Sequence, residues 1–172
     1  MAAHDTDRPF ALVQLSDPHL YADPGTTYRG WNTDQALDRL LQALADDGLP
    51  TDALLLTGDL AQDEQTATYR RLNSKLAPIT APVYALPGNH DQPQAMRETL
   101  QAQYLGVAQL GNWQLLLLNS HQTGSVNGFL DDQELARAQR FVDQLSGPAL
   151  IAVHHQPQAI GSAWIDSLGL DN

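Results

Sequence analysis

Four apolar runs in this chain each end on a cluster of metal-binding residue types, and few folds satisfy that arrangement. Phe10 to Leu15 leads to Asp17-Pro18-His19, and Leu54 to Leu56 leads to Gly58-Asp59. Val83 to Leu86 leads to Gly88-Asn89-His90-Asp91, and Ala149 to Val153 leads to His154-His155. Each run has the length and nearly continuous apolar character of a strand covered on both faces. Helical patterns lie between them. Ala36, Leu37, Leu40, Leu41, Leu44 and Ala45 recur at helical spacing. Asn32 or Thr33 serves as the N-cap, Gln35 completes a capping box with Asn32, and Gly48 follows the last turn. Further helices are expected over Glu64 to Leu76, Pro93 to about Ala102, and Asp132 to Leu145. The last begins near Asp131 and is expected to bury Leu135, Ala138, Phe141, Val142 and Leu145. The steps from Asp17 to Asp59 and from Asp59 to Asn89 each leave room for a strand-helix-strand unit, about 30 residues or more. The chain reads as α/β: β-α-β-α-β, then a helix and further strands, of which Leu115 to Leu118 is the clearest, then a helix and the strand before His154. Ligands in an open α/β sheet gather beyond the carboxyl ends of the strands, where all four clusters fall.

Composition narrows the chemistry. A length of 172 residues with 42% hydrophobic content suits a single domain, 1–172, with a real core. There is no cysteine, so thiolate ligands are excluded and any transition metal must be held by nitrogen and oxygen. No apolar stretch approaches the roughly 18 residues of a membrane helix. Met1 to Arg8, which includes His4, is polar and lacks the basic-then-apolar pattern of a signal peptide. A soluble, cytoplasmic protein with no membrane partner is the expectation. The formal charge of -11, with Lys75 the only lysine, argues against a nucleic-acid polymer, whose phosphates are held by many lysines and arginines. Two divalent cations would invert the field at one spot. The charge balance therefore favours a small phosphate ester.

The clusters suggest how such cations would be held. In extended backbone, residues i and i+2 point the same way, and Pro18 biases Asp17 toward that conformation, so Asp17 and His19 are expected to reach one ion. Gly58 permits a close backbone approach, and the Asp59 carboxylate can bridge two ions. Asn89 and His90, if extended, face opposite sides. Asn89 is assigned to a metal through its carbonyl oxygen, and His90 to the substrate as a donor to phosphate oxygen or leaving group. The same alternation leaves one of His154 and His155 at the metal, and periodicity does not choose between them. Asp63 and Asp91 read either as partners that orient a histidine or as turn residues. His121 reads either as a cleft residue or as part of a loop. Arg29, Trp31 and Asn32 read either as base or phosphate contacts or as capping and packing residues. Each motif alone also reads as a turn or a cap; their joint occurrence at four strand ends is what points to a site.

Taken together, Asp-x-His, Gly-Asp, Gly-Asn-His-Asp and His-His after a strand resemble the calcineurin-like metallophosphoesterases. Within that family, Leu15 to Leu20, Thr57 to Asp63, Leu86 to Asp91 and Gly30-Trp31-Asn32-Thr33 are most similar to the bacterial class III cyclic-nucleotide phosphodiesterases. The resemblance spans nearly the whole chain. It implies a four-layer αββα sandwich and a dinuclear centre of iron, manganese or zinc. Asp17 and His19 would hold the first ion, Asp59 would bridge, and Asn89 and His154 would hold the second. His90 would sit outside the coordination sphere, near the leaving group. It further implies hydrolysis of a cyclic nucleotide, foremost 3′,5′-cyclic AMP to 5′-AMP, by a metal-activated hydroxide. The family's later Gly-His-x-His motif is not found before Asn172. The expectation is a shortened chain, incomplete at the C-terminus, with an open sheet edge that invites self-association. The rival readings are hydrolysis of another small phosphodiester or phosphomonoester, and a fragment that binds metal or nucleotide without turnover.

Overall fold

A computed structural model describes residues 8–48 and 50–172; the tail before Arg8, with His4, lies outside the described residues. Four parallel strands form the first sheet in the order β1 (Leu12–Leu15), β2 (Ala53–Leu56), β3 (Val83–Ala85) and β4 (Gln103–Tyr104). Helices α1 (Thr33–Asp47), α2 (Thr66–Leu76) and α3 (Pro93–Thr99) connect them. The second sheet has three strands among the described residues. β5 (Gly106–Leu110) pairs antiparallel with β6 (Trp113–Leu117), and β6 pairs parallel with β7 (Ala149–Ala152). Helix α4 (Asp132–Asp143) precedes β7, and a short α5 (Ala163–Asp166) follows it. No described helix is long and apolar enough to cross a membrane.

Strand alternation divides the core into three slabs. Along β2, Leu54 and Leu56 pack with Leu37, Tyr69 and Leu72 on the side of α1 and α2. Ala53 and Leu55 point the other way, onto Leu115, Leu117 and Ala152 of the second sheet. Leu116 and Leu118 face α4 through Phe141. Because successive side chains in a strand alternate faces, β2 is apolar throughout and β6 is apolar over its buried stretch, Leu115–Leu117. The layers run helices, sheet, sheet, helix, which is the αββα order expected.

Local chemistry fixes most element ends. Asn32 caps α1 by accepting the Gln35 N–H at 2.8 Å, and Gly48 ends it at φ 65°. Asp131 accepts the Glu134 N–H at 2.8 Å and starts α4. Three expectations need correction. Helix α2 starts at Thr66 rather than Glu64, because Asp63 takes the Gln65 N–H and the Thr68 hydroxyl ahead of it and Glu64 lies at φ 56°. Helix α3 stops at Thr99, where Asn73 bonds the Thr99 carbonyl and the Gln101 N–H, and the chain turns into β4. On α4, Leu135 and Val142 are 45% and 48% exposed instead of buried. The helix seats Phe141, with Ala138 and Leu145 beside it, on the narrow apolar face of β6. Leu135 and Val142, seven residues apart, form a flanking stripe with no partner in that slab.

This division has a measurable consequence. Leu116→Ala is expected to cost about 2–5 kcal/mol in urea unfolding, whereas Leu135→Ala should change stability by no more than about 0.5 kcal/mol.

Candidate metal centre

Beyond their last strand pairs, the loops after β1 and β2 stay side by side. Asp17, His19 and Leu20 donate their N–H groups to the carbonyls of Gly58, Asp59 and Leu60 at 3.1, 3.0 and 3.0 Å. The loops are not extended, as the sequence reading assumed. Asp17, His19 and Asp59 lie at φ 56°, 42° and 50°, in the left-handed region uncommon for any residue but glycine. Interstrand hydrogen bonds override the local preference, including the bias that Pro18 imposes. Backbone conformations of this kind concentrate at functional sites, and here three such residues fall within one pair of loops.

The loop after β3 approaches from the other side. Asn89 and His90 sit in a turn closed by the Asp91 N–H on the Gly88 carbonyl, so both side chains reach one cavity instead of facing opposite ways. The His90 N–H also donates to Asp59 Oδ1 at 2.9 Å. There is no spare room in this contact. A Cβ on Gly88 would stand 2.1 Å from Asp59 Oδ1, and one on Gly58 would stand 2.6 Å from both the Gly88 nitrogen and His154 Nδ1. Both glycines are required by close approach.

Asp17, His19, Asp59, Asn89, His90 and His154 all line a single cavity of about 480 Å³. Their donor atoms form two groups that share Asp59: one with His19 and His90, the other with Asp17 and His154. Asp59 Oδ2 lies 3.8 Å from His19 Nε2, and its Oδ1 lies 3.5 Å from His154 Nε2. Asp17 Oδ1 is 3.8 Å from the same His19 nitrogen. These spacings are longer than hydrogen bonds. Two ligand atoms each about 2.0–2.2 Å from one ion stand roughly 3.0–3.6 Å apart; the Asp59–His154 pair falls in that range, and the two 3.8 Å pairs need to close by a few tenths of an ångström to share a divalent cation. The unlike placement of the two Asp59 oxygens suits a carboxylate shared between two ions.

The histidine pair separates cleanly. His154 holds the Thr57 carbonyl through Nδ1 at 2.8 Å and turns Nε2 to Asp59. His155 is buried, with the Ser120 hydroxyl 2.7 Å from Nδ1 and the Val126 carbonyl 3.2 Å from Nε2. A carbonyl only accepts, so Nε2 carries the proton and Nδ1 accepts from Ser120. Burial, with help from the neighbouring His154, lowers its pKa to about 4.

Asp91 is almost fully buried and orients no histidine. Its carboxylate accepts the N–H groups of Leu60, Ala61 and Gly88 and the Tyr69 hydroxyl, at 2.9–3.1 Å. Burial pushes this carboxyl up, against the pull of its three backbone donors. Asp63 likewise holds backbone, taking the Ala22 N–H at 2.7 Å. The partner of His90 is instead Gln62, whose side-chain nitrogen lies 2.9 Å from Nδ1. The sequence reading passed over Gln62, because an uncharged amide carries no signature of a site; its place three residues after Asp59 was the available clue. Tyr28 was also missed. Its ring stacks on His19 with centroids 4.6 Å apart, and the Arg29 guanidinium lies 5.4 Å from the ring centre. Arg29 lines the metal cavity, Asn32 caps α1, and Trp31 is solvent-exposed. His121 lies in a neighbouring cavity, and burial lowers its pKa.

Residues 10–170 match the sequence profile of the calcineurin-like phosphoesterases. The chain is 36% identical over 170 residues to the 3′,5′-cyclic adenosine monophosphate phosphodiesterase CpdA of Pseudomonas aeruginosa, covering 97% of this chain and 62% of that protein. It is 35% identical to a 3′,5′-cyclic-nucleotide phosphodiesterase of Nostoc, covering 95% of this chain and 63% of that one. Identity to the Escherichia coli K12 CpdA is 34%, over 94% of this chain and 60% of the relative. The chain thus spans about three-fifths of the length of these relatives. Among solved structures, TT1561 of Thermus thermophilus shares the fold at a TM-score of 0.59 and 15% identity, over 87% of this chain and 69% of that one.

The close loop contact and its carboxylate clamp can be tested separately. Gly88→Ala should displace Asp59 and reduce metal uptake, read by elemental analysis after dialysis. Asp91→Ala strands three backbone donors and a phenol, and should cost at least about 3 kcal/mol in chemical unfolding.

Proposed function

The chain belongs to the calcineurin-like phosphoesterase family, and on that footing we propose that it hydrolyses a 3′,5′-cyclic nucleotide, with cyclic AMP the leading substrate, at the centre built around Asp59. The observation that carries this reading is the divided carboxylate of Asp59, with one oxygen toward His19 and the other toward His154. The activities named for the relatives direct the choice of substrate. In this reading Asp17 and His19, 3.8 Å apart, hold one ion, Asn89 and His154 hold the other, and Asp59 serves both; it sets His90 outside the coordination sphere and Asp17 with His19, although the donor atoms also cluster as Asp59 with His19 and His90 and as Asp59 with Asp17 and His154. Divalent iron, manganese or zinc suits these nitrogen and oxygen donors and would supply Lewis-acid charge and lower the pKa of a water.

The remaining work falls to the chain. Gln62 donates its amide N–H to His90 Nδ1, which places the ring proton on Nε2. His90 then donates from Nε2 to the 3′ oxygen as it leaves phosphorus. The His90 main chain is tied to Asp59, so leaving-group donor and shared carboxylate keep a fixed relation. Positioning of this sort lowers the barrier without any rearrangement during the reaction. A small anionic ester also suits a chain of charge -11, which repels extended phosphate backbones except where cations are bound.

Two substitutions separate metal binding from chemistry. Asp59→Ala is expected to release both ions, while His90→Ala keeps its metal and loses about 10²–10⁴-fold in turnover. Metal analysis beside a cyclic-nucleotide assay reads both, and full metal stoichiometry in the Asp59 variant would refute the shared-carboxylate assignment.

A further inference from the structure

The metal cavity does not end at His90. A second cavity of about 430 Å³ shares Asn89, His90 and Val126 with it and is walled further out by Glu64, His121, Thr123 and Ser125. None of these outer residues takes part in the chemistry above. We propose that this second cavity is the nucleoside subsite, receiving the ribose and base of a nucleotide whose phosphate sits beside Asp59. The inference rests on the phosphodiester reading and adds where the rest of the substrate lies.

Direction is the first argument. In that reading His90 faces the leaving oxygen, and that oxygen belongs to the ribose. The nucleoside therefore extends past His90, into the space that His90 walls. On the opposite side of the metal cavity the Tyr28 ring is already stacked on His19 and carries the Arg29 guanidinium.

Size and chemistry agree. The volume falls within the range of about 300–1,000 Å³ for small-molecule sites. Thr123 and Ser125 offer hydroxyls of the kind that pair with ribose hydroxyls, and the His121 imidazole offers both donor and acceptor capacity. Glu64 supplies an acceptor-only group for a base N–H. Its backbone is held at φ 56° beside Asp63, whose carboxylate is tied to Ala22, Gln65 and Thr68. The loop therefore presents Glu64 at the mouth of the cavity from a fixed base.

The test uses the zinc-loaded chain, zinc being diamagnetic, and follows amide resonances during titration with inorganic phosphate and, separately, adenosine 5′-monophosphate. Phosphate is expected to shift Gly58, Gly88 and their neighbours alone. The nucleotide should shift these and, in addition, Glu64, Thr123, Gly124 and Ser125. Glu64→Asn, which tolerates the left-handed backbone, should weaken the nucleotide by about tenfold and inorganic phosphate much less. Nucleotide shifts that fall on Tyr28, Arg29 and Trp164 instead would overturn the subsite and leave the phosphodiester reading standing. Silence toward both ligands would refute that reading and the subsite with it.

Discussion

The contact between the Gly58-Asp59 loop and the Gly88-His90 turn governs the rest of this molecule. The two segments meet with no space for a single Cβ, and the buried Asp91 carboxylate binds N–H groups from both. A charged acceptor in that position is costly to bury unless fully satisfied, and four donors satisfy it. The clamp lies directly behind Asp59 and Asn89. Parallel strand pairing brings the loops near one another; the clamp ties them together through one carboxylate.

Much of the architecture was legible because its signals are local. Nearly continuous apolar strands predict a sheet covered on both faces, and the alternate sides of β2 and β6 bear this out in three packed slabs. The caps at Asn32, Gly48 and Asp131 fell where sequence chemistry put them. What could not be read was set by tertiary partners. β4 exists because an edge of β3 was available to two residues. The exposure of Leu135 and Val142 depends on how much apolar surface β6 offers, which the helix's own periodicity does not encode.

The candidate site divides along the same line. Residue types and spacing named Asp17, His19, Asp59, Asn89 and His90 and left His154 and His155 open, the family resemblance pointing to His154; all of these line one cavity. The backbone route to that convergence was misread. Extended geometry was assumed for Asp17-Pro18-His19 and for Asn89-His90, yet the first uses left-handed conformations and the second a turn. Side-chain direction followed from pairing with a neighbouring loop, a fact of the assembled sheet. Gln62 escaped notice for a different reason: its importance lies in one hydrogen bond to His90, and nothing in composition or charge distinguishes it from any other surface amide.

The bond from His154 to the Thr57 carbonyl joins residues 97 apart in sequence, and it also joins the two sheets. Every other member of the donor set comes from the first sheet. The nascent polypeptide can thus assemble β1 to β3 and all their loops and still present only a partial ring of donors. Completion waits for β7 to dock, after the intervening hairpin and α4 have been made. Contacts of such long sequence separation form late. The donor set thereby stays open on one side until the two-sheet core has closed.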